Sequence, residues 1–254
     1  MRNEAQKARN YTMMKQEFKE DFFEIMRMIV ESDSMALSRY ADGEANVLKN
    51  NTIGNKDGWL YKRDKNLIFR ADLRKALLCS DPGFFYGISC TCCDEVNHEY
   101  LLSQLRTGRE NMTFSNIWVN ANFPLFQEHF FKTLIASGKD IIICTGKKAK
   151  ISDLNQRIPV KDFIPIPGNC VVYWEKNRDY VRAFLDLKGS QYTNAVFLFA
   201  AGPLSEILIH EMWQVNPKNL YIDIGSTLDP FLFRRNSRVY HRGDSEFAQR
   251  YCSW

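Results

Sequence analysis

A chain of 254 residues, 45% hydrophobic and 25% charged, is long enough to bury a sizeable core in one large domain and excludes a disordered or fibrous chain. Its 34 basic and 30 acidic residues leave a net charge of only +4, dispersed except near Arg234, Arg235 and Arg238, which suits a phosphate-bearing ligand and gives no footprint for nucleic acid. Seven cysteines, an odd number with three in Cys90-Thr91-Cys92-Cys93, do not form a secreted disulfide framework and fit a reducing, cytoplasmic setting.

The start of the chain is polar and charged through Lys19, and the apolar run from Ile25 to Val30 is broken by Arg27, so neither a signal peptide nor a membrane span is expected. Phe18, Phe22, Ile25, Met26 and Ile29 recur at helical spacing and predict an amphipathic helix over about 12–32. It leads into a short buried strand at Met35-Ala36-Leu37. The next segment, Ser38-Arg39-Tyr40-Ala41-Asp42-Gly43-Glu44, sets two carboxylates one residue apart on a strand-to-helix turn, which Gly43 lets bend sharply. Such a pair can hold a divalent cation on a phosphate ligand. Acidic residues at a helix start are also favoured by the helix dipole and by capping alone, so both readings stand at this point.

Residues 50–66, rich in Asn, Gly, Lys and Asp around Trp59 and Tyr61, read as a mobile loop over a site, its rings exposed until a ligand covers them. Strands are then expected at 84–89, 140–144, 195–200 and 220–224, and helices at 70–79, 95–106, 123–137, 173–187 and 203–214. This alternation predicts a single α/β domain, a mainly parallel sheet flanked by helices. Ligands bind beyond the carboxyl ends of such strands. Those ends carry Asp42 and Glu44, the Cys90 cluster, Thr145-Gly146-Lys147, Gly202-Pro203 and Asp223-Ile224-Gly225, which a parallel sheet gathers on one rim. A rim carboxylate such as Asp223 is expected to stand outside the core.

Ala200-Ala201-Gly202-Pro203-Leu204-Ser205 places a glycine after a buried strand and a proline in the first turn of a helix, where free amides can cradle phosphate. Thr145-Gly146-Lys147-Lys148 lacks the full P-loop spacing, which disfavours an ATPase. Cys90, Cys92, Cys93 and His98 match no usual structural zinc spacing, and buried small thiols are the expectation. His98, His129, His210 and His241 accompany no recognisable nucleophile motif.

Residues 38–44 resemble the Arg-Phe-Gly-Asp-Gly-Glu signature of the GT-D type glycosyltransferases, the family once catalogued as a domain of unknown function in bacterial glycosylation clusters. Ala201-Gly202-Pro203, the following helix and Tyr221-Ile222-Asp223-Ile224-Gly225 resemble that family's closing pattern of Gly-Pro, helix and Asp-Ile-Gly. The resemblance spans roughly 20–232, with Trp174-Glu175-Lys176-Asn177 a looser match between the two ends. It implies a Rossmann-like sheet, a sugar nucleotide donor and a cation, Mn²⁺ or Mg²⁺, held through Asp42 and Glu44. Two positions depart from the pattern. Tyr40-Ala41 replaces Phe-Gly, and Ser226-Thr227-Leu228-Asp229 stands where members often carry a histidine, which leaves the acceptor side and the base open.

The combined expectation is a metal-dependent glycosyltransferase, with a UDP sugar favoured as donor and a glycan, glycoprotein or glycolipid as acceptor. Arg39, Gly43, Gly202, Pro203, Ser205 and Gly225 would surround the donor phosphates, and Asp223 and Asp229 are the candidates for the base. A non-catalytic nucleotide- or carbohydrate-binding module and an S-adenosylmethionine-dependent methyltransferase are the alternatives. The methyltransferase would want its glycine-rich loop after the first strand, where Ala41-Asp42-Gly43-Glu44 stands instead.

Overall fold

The computed structural model describes residues 17–243, so residues 12–16 of the expected first helix lie outside the described residues. Helix α1 (Phe18–Glu31) turns Phe22, Ile25, Met26 and Ile29 inward, as the spacing predicts. Its one buried acid, Asp21, accepts a hydrogen bond from the Thr113 hydroxyl at 2.7 Å. From there strands and helices alternate: β1 (Met35–Tyr40), α2 (Asp42–Leu48), a small ladder of β2 (Ile53–Gly54) and β3 (Leu60–Tyr61), α3 (Leu67–Leu77), β4 (Phe84–Ile88), α4 (Thr91–Gln104), β5 (Met112–Phe114) and α5 (Phe123–Ser137). The second half runs β6 (Ile141–Gly146), α6 (Ile151–Leu154), β7 (Val160–Ile166), α7 (Cys170–Gln191), β8 (Val196–Ala200), α8 (Ser205–Val215), β9 (Leu220–Asp223) and α9 (Asp229–Leu232).

Seven strands form one sheet in the order β5-β4-β1-β9-β8-β6-β7, and every pairing in it is parallel. The first half of the chain supplies β5-β4-β1 and the second half β8-β6-β7. The two are joined through β9, which pairs with β1 on one side and β8 on the other.

Side chains alternate across the sheet, as the pleat requires. Ala36, Phe84, Tyr86, Ile142, Phe197 and Tyr221 pack beneath α2, α3, α7 and α8. Met35, Leu37, Phe85, Ile143, Leu198 and Ile222 pack on the opposite face against α1 and α5. Burial on both faces is why the inner strands read as unbroken apolar runs. The edges read differently. β7 carries Lys161, Asp162 and Pro165 and buries little beyond Ile164 and Ile166, and β5 is only three residues long, so neither was legible as a strand. α5 stops at Gly138, whose φ of 63° is the left-handed cap that glycine adopts freely. Among the described residues no helix is long and apolar enough to cross a membrane.

Candidate active site

Parallel strands bring the ends of β1, β6, β8 and β9 to one rim, where they surround a cavity of about 920 Å³. At the end of β1, Glu44 sits in the first turn of α2, and one of its carboxylate oxygens accepts the Ala41 amide at 2.9 Å. The helix start thus engages one of its two carboxylate oxygens. Asp42, one position past the turn, is exposed to the cavity.

Arg39 reaches from β1 to the end of β9. Its Nε donates to the Asp223 carbonyl at 2.9 Å and to Asp223 Oδ2 at 3.0 Å, and its Nη1 donates to the Ser115 carbonyl at 2.6 Å. The other Asp223 oxygen accepts the Gly225 amide at 3.0 Å. Gly225 is required here twice over, since its φ is +53° and a Cβ at that position would stand 2.3 Å from Arg39 Nη2. Asp223, expected outside the core, is only 5% exposed and belongs to a buried ion pair.

The Gly-Pro segment forms a 3₁₀ turn, Gly202–Leu204, that runs into α8. Gly202 and Pro203 face the cavity. Ser205 does not: fully buried, its hydroxyl accepts the Ala201 amide at 2.9 Å, and it lies close enough to Asp223 to favour that carboxylate. Ser205 thus closes the turn.

Trp59 departs from expectation. It is 6% exposed and Tyr61 is fully buried, so both rings are already covered, while most other residues of 50–66 are exposed and Ile53, Gly54, Asn55, Asp57 and Trp59 line the cavity. The indole lies against Gly43 on one side and Gly202 on the other, where Cβ atoms would approach it at 3.4 and 3.0 Å. Its N–H has no hydrogen-bond partner among the described residues. Asp57 of the same segment is paired with Arg238 at 2.5 Å.

Sequence reasoning missed Glu206. An acid in the first turn of a helix is ordinary, and only its setting between apolar Leu204 and Ile207 at a strand-end rim could have marked it. Glu206 lines the cavity, is 1% exposed, and its Oε2 has no hydrogen-bond partner among the described residues. Glu44, Glu206 and Asp223 therefore face one another beside a single bonded guanidinium. Burial pushes Glu206 well above the ordinary carboxyl range, reinforced by the charges of Glu44 and Asp223. Burial also raises Asp223, against the pull of Arg39. Glu44 retains some surface toward the cavity, yet the protein packed around its carboxyl pushes it up to about 7, with Asp42 and Asp223 adding to the shift.

Asp229 is 7% exposed on the far side of the cavity, accepts the Ser237 hydroxyl, and is raised by burial. Lys147, Lys148 and Lys150, after β6, also line the cavity, as do Arg235 and Arg238. The histidines take no part in the cavity wall; His210 packs edge-on against Phe84, and burial lowers it to about 4.

A pH dependence follows. With Glu44 raised from 4.5 to about 7, the folded state keeps a proton that the unfolded chain has already released in that window, so stability falls as pH rises from about 4.5 to about 7 and levels off above it. Glu206 and Asp223 act in the same direction. The melting temperature of the metal-free protein is expected to decline over this window, and Glu44→Gln to flatten part of the decline. An identical slope in the variant would show Glu44 to titrate normally.

No protein-family model and no curated protein matches the sequence. Solved structures do match in fold, and the fold they share is that of a glycosyltransferase. One is a selenomethionine-substituted structure of domain of unknown function 1792, with TM-score 0.59 and 14% identity, covering 87% of this chain and 81% of that one. A second, described as the highly conserved domain of unknown function 1792 with a distinct glycosyltransferase fold, has TM-score 0.55 and 14% identity over 88% of this chain and 82% of its own. The third, a glycosyltransferase with this domain from Streptococcus sanguinis, has TM-score 0.54 and 16% identity over 83% and 82%. The family reached from residues 38–44 and 201–225 is thus the one whose structures share this fold.

Proposed function

We propose that this chain is a metal-dependent glycosyltransferase that moves a sugar from a nucleoside diphosphate sugar, a UDP sugar being favoured, to a hydroxyl of a glycan or glycoconjugate. The observation that carries the reading is the buried group of Glu44, Glu206 and Asp223 facing one cavity with Arg39 as its bonded cation. A carboxyl excess of this kind, with Glu206 Oε2 unpaired among the described residues, calls for a proton or a cation. A module that only bound a sugar or nucleotide would gain nothing by burying it.

Asp42 and the second oxygen of Glu44 are the groups that would hold Mn²⁺ or Mg²⁺. Hard carboxylate oxygens suit either ion. No three carboxylates among the described residues bring ligand atoms within 4.8 Å of one another, so the remaining ligands would come from donor phosphates and water. Bound there, the cation would neutralise charge developing on the departing diphosphate.

The chain's own residues would do the rest. The backbone beside Gly202 offers donors at the cavity wall. Asp223 is engaged by Arg39 and Gly225, which makes it a positioning residue. Asp229, which lines the cavity and accepts the Ser237 hydroxyl where Asp223 is held by Arg39, is the better placed of the two base candidates.

Calorimetric titration with UDP, GDP and S-adenosylmethionine tests the reading. UDP is expected to bind with Mn²⁺ and to lose its heat when a chelator is added, because a diphosphate beside these carboxylates is otherwise repelled. Release of UDP from UDP sugars then separates an enzyme from a binding module. Equal UDP binding with and without chelator removes the metal from the mechanism, and binding of the adenosyl compound alone removes the glycosyltransferase.

A further inference from the structure

We propose that Cys90, Cys92 and Cys93 form a thiolate site for a soft divalent cation of the zinc class, separate from the carboxylates of the cavity. The three Sγ atoms lie within 4.8 Å of one another, the one such set of His, Cys, Asp or Glu ligand atoms among the described residues. Cys90 and Cys92 are 3.2 Å apart, and Cys92 and Cys93 4.0 Å. Tetrahedral zinc with bonds of about 2.3 Å to sulfur spaces its ligands by about 3.8 Å, so both separations straddle the value the ion imposes.

Local backbone geometry creates the cluster. Cys90 caps α4 at the end of β4, and Asp94 interrupts the helix at φ −158° and ψ 74°, so Cys90 to Cys93 form a separate turn whose thiols converge. The expectation of buried small thiols holds for Cys90, which is 2% exposed, but Cys92 and Cys93 are exposed. Cys90 is the buried anchor of the cluster, and Cys92 and Cys93 present their sulfurs at the surface. The Asn116 amide stands 3.4 Å from Cys90 Sγ and 3.3 Å from Cys93 Sγ, the kind of outer hydrogen bond that orients metal-bound thiolates. Each sulfur–metal bond replaces an S–H bond, so binding releases protons to solvent.

Thiolates select a softer ion than the carboxylates do, so one chain would carry two sites with different preferences. They are linked through two adjacent residues. Asn116 faces the thiols, and the Ser115 carbonyl holds Arg39. A cation on the thiols would therefore stiffen the segment that positions Arg39.

The test is titration of the reduced full chain with Cd²⁺ in excess Mg²⁺, followed by sulfur-to-metal charge-transfer absorption. One equivalent is expected to saturate the band. Cys92→Ser/Cys93→Ser should abolish it while the far-UV circular dichroism stays that of the wild type, whereas Glu44→Gln and Cys79→Ser should leave it intact. Asn116→Leu should weaken binding roughly tenfold or more. Zn²⁺ should displace Cd²⁺ and protect Cys92 and Cys93 from alkylation. Absence of the band, or its survival in Cys92→Ser/Cys93→Ser, overturns the proposal.

Discussion

Glu44→Gln is expected to reduce sugar transfer by on the order of a hundredfold or more and to leave the protein as stable as before or more so at pH above 7. The two effects have opposite signs for one reason. The glutamine carbonyl can still accept the Ala41 amide, so the helix start survives. What disappears is a charge that burial disfavours, and with it a hard ligand for the cation on which several kcal/mol of leaving-group stabilisation rest. Melting temperature and turnover measured on one preparation decide the matter. A less stable variant with wild-type turnover would mean that Glu44 serves only the helix.

Arg39→Met is expected to cost about 3–5 kcal/mol, the usual consequence of stripping a buried carboxylate of its partner. For a domain of this size that lowers the melting temperature by roughly 10 °C. Arg39 binds a carboxylate and two carbonyls drawn from β9 and from the segment after β5, so its loss unties elements as well as charges. Arg39→Lys should recover only part of the loss, since an ammonium cannot reproduce the planar fork. Adding Asp223→Asn to Arg39→Met should restore stability, because the stranded charge is gone. If Arg39→Met instead melts like the wild type and only weakens donor binding, Arg39 acts on the ligand and not on Asp223.

Local pattern carried the sheet and half of the site. β1, β4, β6, β8 and β9 are apolar on both faces and end in polar or glycine-containing turns, so both their existence and the convergence of Asp42, Gly202 and Asp223 could be read from the chain. β7 hid because an edge strand tolerates Lys161, Asp162 and Pro165. Trp59 could not be placed because the surfaces that cover it, Gly43 and Gly202, come from distant segments and meet only through the sheet. Glu206 was obscured by its ordinary position in a first turn. Its abnormality, a buried carboxyl among carboxyls, is a property of three segments together.

The position of β9 also governs when the protein can exist at all. As the chain leaves the ribosome, β5-β4-β1 and β8-β6-β7 can each assemble from contiguous sequence, but every one of those partial sheets presents an open inner edge until Leu220–Asp223 arrives to pair with both. Unpaired inner edges are sticky, so a chain that has not yet gained β9 is exposed to aggregation. The strand that ends this exposure also delivers Asp223 to Arg39. Closure of the sheet and completion of the site are therefore a single event, and a chain cut short before β9 has neither.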